Sequence, residues 1–252
     1  MPSTSLLTGF AALERWLLPG SCLVCDAVTG AADPLVCGLC RCRWRRLPEP
    51  RCVRCSQPRR FDLPCRLCRE WPECLSWVRS GVWLDDSVRR AVHGLKYDGW
   101  WRVTESMAEV MAPEISGSGA WVLAPVPLTA AKQRRRGYNQ AARLADALSR
   151  RLGWPWRDDL LRRDRESPTQ TALTPQARAA NVAGAFRAQE AAAGLRVLVV
   201  DDVFTTGATL TAAATALDAA GAMAVAGVTF ARALEPLSTH ESGHEAGSRV
   251  KG

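Results

Sequence analysis

The stretch RVLVVDDVFTTGATL, from Arg196 to Leu210, runs apolar residues into two acids and then into threonine and glycine. Asp201 and Asp202 lie where a buried strand, Val197 to Val200, is expected to end, at the mouth of a crevice. Carboxylates do not bind phosphate; they accept hydrogen bonds from sugar hydroxyls or hold Mg²⁺ through water. Phe204, Thr205, Thr206, Gly207, Ala208 and Thr209 then turn into a helix. Successive backbone N–H groups at such a turn, backed by the helix N-terminus, form a cradle for a phosphate group. The three threonines add hydroxyl donors, and Gly207 tolerates backbone angles that other residues resist. No Gly-Lys-Ser/Thr follows, so this is not a Walker loop. The pattern fits a ribose 5-phosphate, acids on the sugar and loop on the phosphate; the plain alternative is a capped helix after a strand, with incidental acids.

A second chemistry lies near the N-terminus. All ten cysteines fall between residues 22 and 74, and eight form four two-residue-spaced pairs: Cys22/Cys25, Cys37/Cys40, Cys52/Cys55 and Cys65/Cys68. Each Cys-x-x-Cys turn points two sulfurs at one centre, and two turns complete a tetrahedral four-thiolate zinc site. Four turns make two structural zinc sites, paired sequentially in the simplest arrangement, although spacing also admits interleaving. Disulfides would need an export signal, which the opening MPSTSLLTGF does not resemble, and an iron–sulfur cluster gives less reason for four regular pairs. Cys42 and Cys74 are left over.

Zinc changes the charge balance. The formal net charge is +8, from 33 basic and 25 acidic residues, and suggests a phosphate-rich partner. Each four-thiolate zinc site carries −2, so two sites lower the balance to +4. What remains is local: in CRCRWRR, Arg41, Arg43, Arg45 and Arg46 surround Trp44, a mixture that suits single-stranded nucleic acid or forms a solvated edge on a small metal module. No apolar run is long enough to span a membrane, and a cytoplasmic location is expected.

Elements must position these groups. Leu6, Phe10, Leu13 and Leu17 recur at helical spacing. Beyond residue 80 strand and helix signals alternate: WVLAPVPL (121–128) as strand, NQAARLADALSRRLG (139–153) as helix, LRVLVVDD as a strand buried on both faces, an alanine-rich helix closed by Gly221, and MAVAGVTFAR as strand. That alternation predicts a parallel α/β sheet, with ligands bound beyond the carboxyl ends of its strands. The expected organisation is an amphipathic helix over 1–21, a double zinc ribbon over 22–76, an α/β domain over 77–234 and a disordered tail over 235–252.

The chain resembles type I phosphoribosyltransferases at VLVVDDVFTTGATL, their phosphoribosyl pyrophosphate (PRPP) motif. More narrowly it resembles the ComF family of phosphoribosyltransferase-like competence proteins, over residues 18 to 234. The match takes in the four cysteine pairs, HGLKYDG (93–99), PVPLTAAKQRRRGYNQ (125–140) and PTQTALTPQARAANVAGAF (168–186). The resemblance implies a double zinc ribbon before a phosphoribosyltransferase fold, PRPP bound with Mg²⁺, and a role in the uptake or processing of transforming DNA. It places Lys132, Arg134, Arg135, Arg136 and Gly137 in the pyrophosphate loop, where the same cations also suit a nucleic-acid backbone. It places Gln170, Arg178 and Asn181 in a lid that would exclude water. Single-stranded DNA and an uptake helicase are the implied macromolecular partners. Neither an acceptor site nor a general base is legible, and His93 is assigned no role. Two alternatives stand beside the ComF-type reading: a nucleobase-salvage phosphoribosyltransferase, and a noncatalytic zinc-ribbon adaptor with a PRPP- or phosphate-sensing domain.

Overall fold

The computed structural model describes residues 20–29, 35–59, 65–163 and 184–233. The predicted N-terminal helix, apart from residues 20 and 21, and the tail lie outside them. Strands β1 (Leu75–Trp83), β2 (Val122–Pro125), β5 (Arg196–Phe204) and β6 (Ala224–Arg232) form one parallel sheet in the order β1-β6-β5-β2. A short antiparallel pair, β3 (Leu161–Arg163) and β4 (Phe186–Ala188), stands apart from it. The helices are α1 (Gly38–Arg43), α2 (Asp86–Tyr97), α3 (Thr104–Met111), α4 (Ala130–Arg136), α5 (Gln140–Leu152) and α6 (Ala208–Ala219).

The near-continuous β-branched run of β5 explains its central place, because a parallel strand covered on both faces needs apolar side chains in both directions. Leu198 and Val200 face a core built with α2, α3 and α5, whereas Val197 and Val199 face a second core built with α6 and β4. Helix α5 is set by its ends: the Asn139 side chain accepts from the Ala141 N–H, and Gly153 closes it in the left-handed conformation.

The cysteine segments are part of this body. Cys22, Cys40 and Trp44 are buried in the α2/α3/α5 core, and Cys52, Cys55, Cys68 and Trp71 in the α6 core, so the two cysteine clusters sit against opposite faces of the sheet. They also cover its β1 edge. The Val78 N–H donates to the Arg54 carbonyl at 2.7 Å, Ser56 Oγ donates to the Val78 carbonyl at 2.9 Å, and the Trp83 N–H donates to the Arg45 carbonyl at 2.8 Å. An edge strand otherwise offers a row of unpaired groups to other chains.

Two sequence readings need correction. The acids do not end their strand: β5 continues to Phe204, because β6 keeps pairing with it through Asp201↔Thr229 and Phe204↔Arg232. What ends near the acids is β2, whose last residue, Pro125, pairs with Val200, so the edge of β5 opens there. The basic run is not a base-stacking surface either. Trp44 is 3% exposed and packs edge-on against Phe230, ring centroids 5.0 Å apart. Its neighbours Arg41 and Arg46 pair with Glu109 and Glu114 at 3.6 and 3.9 Å.

Candidate functional site

Asp202 is buried and Asp201 half-buried on consecutive positions of β5. Asp202 forms an ion pair with Lys96, delivered by the last turn of α2, and its Oδ1 accepts from Gln140 Nε2 at 3.2 Å. Arg136 in turn donates to Gln140 Oε1 and stacks over the Tyr97 ring, 5.4 Å from its centroid. Burial alone would raise the Asp202 pKa, but Lys96 and these hydrogen bonds hold it below the usual carboxylate range. Asp201 moves the other way: burial and the negative charge of Asp202 push it up to about 8, against the opposing pull of Lys96. One acid is thus ionised and its neighbour holds a proton near neutral pH.

That difference has a stability consequence. Between the ordinary carboxyl range near 4 and about 8, folded Asp201 keeps a proton that the unfolded chain has released, so folding stability falls as pH rises through that window. The charged groups facing it are Asp202, Lys96 and Arg163 of β3, with His93 lining the same cleft. In Asp201→Asn the contribution disappears. Thermal denaturation from pH 5 to pH 9 is expected to show a steeper decline in wild type than in the variant; parallel profiles would refute the assignment.

The acids open into a cleft of about 400 Å³ lined by Lys96, Tyr97, His93, Val203 and Thr205 among others. The turn that follows separates this cleft from a groove of about 510 Å³ along α6, where Thr206, Ala208, Trp71 and Phe186 contribute. Thr205 therefore shares the acids' cleft, while Thr206 and Ala208 border the groove on the other side of the turn. Thr206 Oγ1 accepts from the Ala208 N–H at 3.4 Å, and Thr209 lies half-buried in the first turn of α6. The Phe204 ring is core: it packs on Trp71 at 5.9 Å and beneath the Arg232 guanidinium at 4.4 Å. Its carbonyl accepts from the Ala233 N–H at 2.8 Å.

Gly207 holds the turn with φ +86°, and a Cβ there would lie 2.8 Å from Trp71 Cζ2 and 3.1 Å from the Phe204 ring. Gly207→Ala is expected to cost about 1–3 kcal/mol and more than Gly221→Ala, where φ is +83° but the nearest atom is 3.5 Å away. Equal losses in denaturant unfolding would mean that Trp71 exerts no constraint on the loop.

The predicted pyrophosphate loop is a helix. Thr129 caps α4 and Gly137 closes it in the left-handed conformation, φ +82°, with open space where a Cβ would lie. Lys132, Arg134 and Arg135 are carried on this helix, with Arg134 and Arg135 exposed, while Arg136 turns into the Gln140 network. Gln170, Arg178 and Asn181 lie outside the described residues. Sequence reading missed Lys96 and Gln140 as partners of the acids, although HGLKYDG and KQRRRGYNQ both contain a signal: a polar residue at the end of the amphipathic helix α2 and another at the start of α5.

The cysteines resolve into two sequential clusters, Cys22/Cys25/Cys37/Cys40 and Cys52/Cys55/Cys65/Cys68, with the four sulfurs of each within 4.8 Å of one another. Four thiolates bound tetrahedrally at 2.3 Å lie about 3.8 Å apart. The Sγ–Sγ distances of 3.8 Å for Cys25–Cys37, 3.7 Å for Cys52–Cys68 and 3.5 Å for Cys55–Cys65 fit that figure and rule out disulfides in this structure. N–H groups of Val24 and Cys37 donate to Cys22 Sγ, both at 3.4 Å, which stabilises a thiolate. Each cluster can hold a metal ion.

Residues 139–243 match the phosphoribosyl transferase domain family, the class to which the parallel sheet and the acid–threonine–glycine turn already point. Three curated relatives narrow the class. DNA utilization protein YhgH of Escherichia coli (strain K12) is 28% identical over 218 residues, 82% of this chain and 95% of the relative. Competence protein ComFC of Bacillus subtilis (strain 168) is 27% identical over 216 residues, 78% of this chain and 88% of the relative. Competence protein F of Haemophilus influenzae (strain Rd) is 42% identical over 89 residues, 34% of this chain and 39% of the relative. The chain thus carries a match to the phosphoribosyl transferase domain and is similar to ComF-type competence and DNA utilization proteins. Among the described residues no helix is long and apolar enough to cross a membrane.

Proposed function

We propose that this protein binds PRPP with Mg²⁺ on the β5–α6 turn and acts in the uptake or processing of single-stranded DNA. The observation that carries the reading is the pairing of ionised Asp202, held by Lys96 and Gln140, with a glycine-hinged threonine turn that follows directly on the same strand. The acids face the ribose hydroxyls and the Thr205–Thr209 turn faces the 5-phosphate, its N–H groups reinforced by the α6 N-terminus. Mg²⁺ would offset the charge of the pyrophosphate group when bound. The exposed cations of α4 stand near this end of the sheet for pyrophosphate or for a nucleic-acid backbone.

The two four-cysteine clusters hold structural zinc, a reading supported by their sulfur spacing and all-thiolate donor sets. A cytoplasmic site of action is part of this proposal, and an uptake helicase is the partner class that the resemblance to ComF proteins implies. The cysteine modules occupy the protein surface around β1, where other transferases would need room for a base-specific hood, so nucleobase salvage is the weaker reading.

Calorimetric titration of PRPP and Mg²⁺ into the zinc-loaded protein tests the site, beside a double variant carrying Asp201→Asn and Asp202→Asn. Micromolar affinity that falls at least a hundredfold in the variant is the expected result. Absence of binding to wild type would reduce the turn to a structural remnant.

A further inference from the structure

Trp44 being core, the strand-binding surface must lie elsewhere, and the structure displays aromatic side chains where the sequence reading put none. Tyr97 is 64% exposed, Trp100 41% and Trp101 42%. They lie within five residues, on the last turn of α2 and in the connection to α3, and they are held from beneath rather than loose. The Trp100 N–H donates to the Gly94 carbonyl, and its ring covers Gly94 so closely that a Cβ there would meet it at 3.0 Å. Thr104 Oγ1 donates to the Trp101 carbonyl at 2.7 Å.

Arginines flank the rings. The Arg143 guanidinium of α5 lies over Trp101 at 4.9 Å, and Arg136 over Tyr97 at 5.4 Å. Among the described residues Arg102 and Arg143 form no ion pair with a carboxylate, whereas the nearby acids are taken: Arg150 bridges Glu105 and Asp146, and Asp98 faces His93 at 3.2 Å. The charge left on this face is positive. Tyr97 also lines the acids' cleft, so the strip begins at the site and leads away from it along α2 and α5.

We propose that Tyr97, Trp100 and Trp101, with Arg102, Arg136 and Arg143, form a stacking platform for single-stranded nucleic acid that leads into the Asp201–Asp202 cleft. Exposed rings interleaved with guanidiniums that no carboxylate neutralises are what unpaired bases and their phosphates require; a duplex keeps its base faces covered and gains only the charge contacts. The inference rests on the nucleic-acid half of the proposed function and supplies its location.

Fluorescence anisotropy with a labelled 20-nucleotide thymidine oligomer and with the corresponding duplex tests it, using zinc-loaded full chain at two salt concentrations. Wild type is expected to prefer the single strand. Trp101→Ala and the surface variant Arg143→Gln should each weaken strand binding about tenfold, Arg143→Gln with a smaller salt slope by roughly 0.7, while both keep wild-type PRPP affinity and melting temperature. Wild-type strand affinity in both variants would overturn the platform and leave the proposed function standing. No strand binding by wild type would overturn the platform together with the DNA role, and PRPP calorimetry would still judge the phosphate site.

Discussion

Stripping zinc from the loaded protein is expected to destabilise the whole sheet, not only the cysteine segments. From sequence, the segment from 22 to 74 reads as an independent module whose loss would spare much of the α/β body. The structure places Cys52, Cys55 and Cys68 in one core with Val78, Val199 and Phe204, and Cys22 and Cys40 in the other with Leu198 and Phe230. Structural zinc is worth about 10–16 kcal/mol to an isolated zinc-finger peptide, a figure comparable with the whole net stability of an ordinary domain. Without the ions, buried sulfurs would either repel as thiolates or take up protons in a space shaped for an ion. Far-UV circular dichroism during a chelator titration should lose sheet and helix signal together as two zinc ions per chain are released. Loss of zinc with an unchanged melting transition of the sheet would refute this, and far fewer than two ions in the native protein would contradict the two-site reading.

Replacing Arg232 is expected to be the most damaging single substitution. It is 1% exposed, at the end of the central strand β6, and donates from Nη1 to the Cys55 carbonyl at 2.7 Å and from Nη2 and Nε to Gln57 Oε1 at 2.7 and 3.1 Å. Its guanidinium covers the Phe204 ring. A buried cation needs partners, and a −2 zinc–thiolate centre next to the Cys55 backbone would provide the compensating charge. Arg232→Ala removes the donor from the buried Cys55 carbonyl and from half-buried Gln57 Oε1 and opens a void beside Phe204. The expected loss is about 4 kcal/mol, on the scale of large-to-small core substitutions and charged hydrogen bonds. Arg232→Met, which keeps volume, should recover the packing share only, and Arg232→Lys cannot reproduce the fork of donors. Denaturant unfolding of the three variants separates these contributions; an Ala variant within 1 kcal/mol of wild type would exclude a structural role for the contact.

The legible parts of the sequence were those with local signals. Asn139 and Gly153 bracket α5 as read, the aliphatic run of β5 is a central strand, and the cysteine spacing anticipates two clusters. Strand β1 was missed because Arg79 and Ser80 interrupt its apolar pattern, and Ser80 is satisfied only by Thr229, 149 residues away, at 2.8 Å. The length of β5 was misjudged for a related reason: whether a strand continues past two acids is decided by the neighbour that pairs with it. Trp44 shows the limit of compositional reading, since four surrounding arginines suggest a wet surface while Phe230 buries the ring. Lys96 stayed hidden because its partner is 106 positions further along the chain.

The strand order carries a consequence for how the protein is made. β6, the last strand among the described residues, lies between β1 and β5, so β1 waits for about 140 residues of synthesis before it pairs with β6. The cysteine segments, whose ligands lie within 19 positions of one another, are complete long before that. During translation the metal clusters would be the early fixed points, shielding the nascent β1 edge with Arg45, Arg54 and Ser56 until the closing strand arrives. A message truncated before codon 224 would therefore yield a chain with two metal clusters and an unfinished sheet.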